Sequence, residues 1–193
     1  MMDYIKGTIT GITPAFLTVE TGGIGYFVNI SLNTFSRLEG KGEYKILIHE
    51  VIREDTHQLF GFADKEERDI FRMLISVTGV GAATARMMLS SLSPGEIEKA
   101  IIGSDVQTLK SVKGIGVKTA ERIIVDLRDK VGKAAAGGEI FSFTDNTRRE
   151  EALSALVMLG FARGAVLKTL DKIIREDRNL TVEDMIKKAL KNL

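Results

Sequence analysis

The sequence predicts a multidomain α+β chain: an N-terminal OB-type β-barrel, a central all-helical domain of tandem helix-hairpin-helix motifs, and a small three-helix bundle. Three observations carry this prediction. Residues 1–62 are short β-branched and aromatic runs punctuated by glycine, the hydrophobic period lengthens at Asp64, and a ten-residue segment recurs at an offset of 35.

In the first region Leu17 and Val19 alternate with Thr18 and Glu20, Thr21-Gly22-Gly23 reads as a turn, and Tyr26 to Ile30 resumes a strand. Tyr44 to Ile52 is apolar on both faces, as a barrel strand can be, and Arg53-Glu54-Asp55-Thr56 turns the chain into His57 to Phe62. Five short strands, with further glycines such as Gly40 and Gly42 between them, suggest a Greek-key barrel at 1–63. From Asp64, the residues Ile70, Phe71, Leu74, Ile75 and Val77 share a helical face. Ser93-Pro94-Gly95-Glu96 reads as a capping box, and Ser104 to Gln107 as a second start of the same kind, so 64–131 is expected to be helical. Lys133 to Gly138 and the polar residues to Asn146 read as a flexible linker over 132–146. Beyond it, Thr147 is expected to cap a helix ending near Leu159, with Gly160 as its left-handed cap. A second helix is expected from Ala165 to Ile174 and a third from Thr181, completing a bundle at 147–193.

Composition excludes several classes of protein. The 193 residues contain no cysteine, so disulfides and thiolate metal sites are ruled out, and the N-terminal residues lack the pattern of a secretory signal. With no apolar run long enough for a bilayer, a cytoplasmic protein is the expectation. Net charge is +1, split as −2 over 1–63, +1 over 64–131, −1 over 132–147 and +3 over 148–193. No broad basic field advertises a nucleic-acid partner, so that reading must come from local geometry.

The repeat supplies it. Ser76-Val-Thr-Gly-Val-Gly-Ala-Ala-Thr-Ala85 aligns with Ser111-Val-Lys-Gly-Ile-Gly-Val-Lys-Thr-Ala120, each copy following one helix and opening another. Gly79, Gly81, Gly114 and Gly116 permit tight backbone and close approach, while Val80 and Ile115 can anchor their loops inward. The helix that follows each loop offers free N–H groups and a positive dipole end to an anion. Two such sites side by side suit successive phosphates of one strand, with Lys113, Lys118 and Arg122 around the second. The candidate DNA contacts are therefore Gly79, Val80, Gly81, Thr84, Gly114, Ile115, Gly116, Lys118, Thr119 and Arg122.

Enzymatic readings fail on spacing. A P-loop needs glycine directly before its lysine and a strand before the loop, whereas Val117 precedes Lys118 and a helix precedes Gly114. Asp126 lies too far into its helix to serve a base-flipping glycosylase. His49 and His57 flank the Glu54-Asp55 turn, but no third element joins them, so neither a catalytic site, a metal nor a cofactor is expected.

The order of regions, with Arg53-Glu54-Asp55, Gly61-Phe62, Gly114 to Arg122 and Leu159-Gly160-Phe161, resembles the bacterial RuvA family over essentially the whole chain. That resemblance implies a non-catalytic, sequence-independent binder of four-way (Holliday) junction DNA in recombination and repair. It implies a homotetramer or octamer, a RuvB-type AAA+ ATPase as partner, and a junction resolvase in the same complex. It also implies that Glu54 and Asp55 form an acidic pin and that the last domain docks the motor. Leu159-Gly160-Phe161 resembles the loop of ubiquitin-associated-type bundles, and the expected motor contacts are Leu159, Gly160, Phe161, Leu167 and Leu170, with Phe161 as the exposed anchor. Ala82-Ala83 departs from the Pro-Lys that members of the family often carry, leaving the first hairpin to its backbone N–H groups and Arg86. The rival reading is a duplex or single-strand adaptor that binds through the barrel face.

Overall fold

The computed structural model describes residues 2–38, 42–136, 143–177 and 180–193; Gly40 and the middle of the expected linker, with Gly138, lie outside them. Two compact units divide the chain at Ala136.

In the first unit, strands β1 (Tyr4–Ile12), β2 (Phe16–Thr21), β3 (Ile24–Asn29), β4 (Glu43–Ile52) and β5 (His57–Phe62) close a barrel in the order β1-β2-β3-β5-β4. The pairs are antiparallel except β3 with β5. Leu17 and Val19 point inward, as their alternation predicts. The two-faced apolarity of β4 is also explained. Ile46 and Ile48 fill the barrel, while Leu47 and Val51 pack against the helical core. A Cβ on Gly61 would stand 2.5 Å from Val28 Cγ1, so glycine there lets the barrel close.

Helix α1 (Leu32–Arg37) interrupts what reads in the sequence as strands alone. It is too short for a periodic signal, and its start is fixed by Ser31, whose hydroxyl accepts the Thr34 N–H. Five helices follow: α2 (Lys65–Ile75), α3 (Ala82–Ser91), α4 (Pro94–Ile102), α5 (Val106–Lys110) and α6 (Val117–Ala136). The capping box of Ser93 and Glu96 is present. At the next start the cap is Asp105, not Ser104. Its carboxylate accepts the Thr108 N–H at 3.0 Å and the Thr108 hydroxyl at 2.6 Å, while Ser104 takes a left-handed φ of 56°. Helix α6 runs to Ala136, into the stretch that reads as linker in the sequence, since Lys133 and the alanines after it are good helix formers.

One core runs through both halves of this unit. Phe60 and Phe62 of β5 sit 5.1 and 5.0 Å, centroid to centroid, from Phe71 of α2, in a cluster that reaches Val131. The boundary expected at 63/64 is thus bridged by continuous packing. Buried polar groups bridge it too. Glu67 of α2 accepts hydroxyl hydrogen bonds from Ser31 and, at 2.7 Å, from Thr34 of the α1 segment. Burial raises the Glu67 carboxyl above its ordinary pKa, opposed by those two hydrogen bonds. Glu67→Ala would leave two buried hydroxyls without their acceptor and should lower stability by about 2–3 kcal/mol in urea unfolding.

The second unit contains α7 (Phe143–Met158), α8 (Arg163–Glu176) and α9 (Val182–Leu190) around its own core of Leu153, Leu156, Val166, Leu170, Ile173 and Met185. Helix α7 begins before Thr147, which therefore lies inside it instead of capping it. Gly160 has φ 98°, as expected of a left-handed cap, and Thr181 caps α9 by accepting the Asp184 N–H at 3.2 Å. No helix among the described residues is long and apolar enough to cross a membrane.

Candidate nucleic-acid interface

The sequence repeat is a repeat of hydrogen bonds. In the first copy, the N–H groups of Val77, Val80 and Ala85 donate to the carbonyls of Leu74, Val77 and Gly81 at 3.1, 3.0 and 2.9 Å. In the second, Val112, Ile115 and Ala120 donate to Leu109, Val112 and Gly116 at 3.3, 3.1 and 2.9 Å. Ser76 Oγ and Ser111 Oγ close the preceding turns, each donating over 2.7 Å to the carbonyl three residues back. Gly79 and Gly114 have φ of 94° and 93°, a conformation that only glycine adopts easily.

This geometry divides the expected contacts by role. Val80 and Ile115 are buried, and their N–H groups are spent inside the loops, so neither can touch a strand. They are anchors, and their place among the direct contacts is corrected. The free donors come next in the chain. The N–H groups of residues 81–84 and 116–119 have no acceptor among the described residues, and Gly81 makes no side-chain cap bond. Each set forms the first turn of a helix, where unpaired donors and the helix dipole favour an anion.

Gly81 and Gly116 are informative for what does not surround them. Neither has a positive φ, and a Cβ built on either meets no atom within 4 Å. Nothing inside the chain requires glycine there.

The two sites differ in charge. Lys113, Lys118 and Arg122 are all exposed around the second, with Thr119 half-buried beside them. The first has Thr84 and the alanines, but no free cation among the described residues. Arg86 does not assist it, because its guanidinium donates to Ala15 O at 2.9 Å and to Asn29 Oδ1 at 3.1 Å on the barrel. The first site is a backbone site.

At the tip of the β4–β5 hairpin, the Arg53 N–H donates to Thr56 O at 2.8 Å, closing a turn that exposes Glu54 and Asp55. Neither carboxylate forms an ion pair among the described residues. The histidines nearby do not converge. His49 packs edge-on to Phe71 with ring centroids 5.5 Å apart, and burial, then Arg72 and Arg68, lower its pKa. His57 lies 3.9 Å from Glu50. No metal-binding group of acidic residues and histidines occurs among the described residues.

In the second unit the expected partner contacts also separate. Leu170 is fully buried and fills the bundle's own core, and Phe161 and Leu167 pack partly against it. Phe161, expected as the exposed anchor, is half-buried just past Gly160. The most exposed apolar residues described in this unit are Met158 and Leu159, at 85 % and 62 %.

Three family models match the chain: the RuvA N-terminal domain over residues 1–61, the SAM-like helix-hairpin-helix tandem over 71–129, and the RuvA C-terminal domain over 147–193. The chain is also similar to full-length relatives, each described as a Holliday junction branch migration complex subunit RuvA. It is 51 % identical to that of Christiangramia forsetii over 193 residues and 47 % to that of Bacteroides fragilis over 201. The Porphyromonas gingivalis relative is 48 % identical over 202 residues, and all three alignments cover 100 % of both chains.

Proposed function

The chain belongs to the RuvA family, and from that membership we propose that it grips four-way junction DNA and couples it to a RuvB-type AAA+ ATPase for branch migration. The observation that carries this reading is the pair of matched helix starts, each with four successive unpaired N–H groups. Donors of this kind hold phosphates without reading bases, so recognition rests on backbone and junction shape. Gly81 to Thr84 and Gly116 to Thr119 are the contacts we assign, with Lys118 and Arg122 adding charge at the second site. The chain performs no chemistry of its own, and it acts on bacterial DNA in the cytoplasm.

We assign a homotetramer as the working form, with octamers and a junction resolvase as further levels of assembly. Four copies of the exposed Glu54-Asp55 tip around a four-fold axis would repel phosphates at the crossover and disfavour a continuous duplex there. Replacing both residues with asparagine should therefore strengthen binding to linear duplex by several-fold and shrink the preference for a junction. Competition between a labelled four-way junction and unlabelled duplex reads this directly. Equal junction preference in variant and parent would remove the tip from the mechanism. A parent that binds both DNAs equally would favour the duplex adaptor reading instead.

A further inference from the structure

Helix α8 carries two faces of opposite character. Val166, Leu170 and Ile173 are buried in the bundle, whereas Lys168, Lys172 and Arg175 are exposed on the reverse side. These three side chains and Asp171 line one shallow concavity. Asp171, the acidic member, is already held by Arg149 through bonds of 2.9 and 2.7 Å. None of the three cations has an ion-pair partner among the described residues.

We infer that this ridge is a second DNA contact, which takes the phosphate backbone of a duplex arm. At 1.5 Å per residue the ridge advances about 10 Å from Lys168 to Arg175, a length of duplex axis over which one strand presents about three phosphates at about 3.4 Å of rise each. It has no exposed apolar centre, which a protein interface of ordinary composition would need. The most exposed apolar residues of this unit, Met158 and Leu159, lie at the end of α7 and just past it. A weak phosphate contact also suffices here, because the same chain grips DNA through its hairpins and holds the ridge at high effective concentration. The inference rests on the junction-binding reading in that last respect.

The test is the salt dependence of junction affinity for the full chain and two charge-matched variants, Lys172→Gln/Arg175→Gln and Lys187→Gln/Lys188→Gln. Each phosphate left without its cation should reduce the magnitude of the slope of log affinity against log salt by about 0.9. The ridge variant should show that fall, with affinity for a long-armed junction at least threefold weaker, and the α9 variant should not. Equal slopes in the parent and the ridge variant would overturn the inference, as would an equal fall in both variants. Unchanged DNA binding with failed ATPase coupling would also overturn it, by assigning the ridge to an acidic protein surface. Failure of the parent to bind the junction at all would instead refute the hairpin reading.

Discussion

Gly116→Val should weaken junction binding at least tenfold while the chain still folds. The backbone at Gly116 lies outside the left-handed region, and an added Cβ meets no atom within 4 Å. The structural penalty is limited to losing a favourable residue before a helix start, about 1 kcal/mol. The functional penalty is larger. An isopropyl group would stand among the unpaired N–H groups of residues 116–119 and hold a phosphate oxygen beyond hydrogen-bond reach. Hydrogen bonds to a charged group contribute about 1.5–3 kcal/mol each, so losing even one is a tenfold effect. Gly95, which also has open space around its Cβ position, provides the control. Gly95→Val should bind like the parent in the same mobility-shift titration. Equal losses at both positions would mean that the hairpin is only architecture.

The division between anchor and grip at this site was only partly legible in the sequence. The offset of 35 exposed the duplication because glycine, serine and alanine recur where the backbone demands them. Such a match cannot tell which N–H groups are already spent, so Val80 and Ile115 read as contacts until their bonds to Val77 and Val112 were visible. Arg86 misled for the same reason. Its charge is plain in the sequence, and its engagement with Ala15 and Asn29 is a tertiary fact. The barrel was legible through its alternation, but α1 was not, since six residues are too few to establish a helical period. At the other end, glycine-rich composition suggested a linker longer than the structure leaves, because α6 and α7 both extend into it.

Removing residues 137–193 should leave junction affinity within about threefold of the parent and abolish ATPase-driven branch migration. The cut follows Ala136, the end of the first unit. It spares α7 from being severed, as a cut before Thr147 would do. The core clusters support independent folding: those of the first unit run from Ile5 to Val131, and that of the second from Ala152 to Ala189, with no residue shared. Removing the second unit therefore takes no residue from the cores of the first. The modest loss allowed for affinity corresponds to the contact inferred on α8. Strand separation on a synthetic junction, with purified ATPase and ATP, measures the coupling. Separation at the parent's rate by the truncated chain would sink the motor-docking role of the bundle. Loss of junction binding by more than an order of magnitude would mean that the grip itself extends past Ala136.

The bonds that join α1 and the barrel to α2 and α3 have a mechanical meaning. Arg86 reaches the barrel from α3, Asn33 of α1 donates to the carbonyl of Leu92 at 3.1 Å, and Glu67 holds Ser31 and Thr34. Dense packing transmits strain with little compression, and these ties cross the same seam as the Phe60–Phe71–Phe62 stack. In the proposed complex a strand pulled across the hairpins would load the barrel through these ties, and the Glu54-Asp55 tip would move with it. On the proposed reading, work done on the duplex arms would reach the acidic tip through these ties.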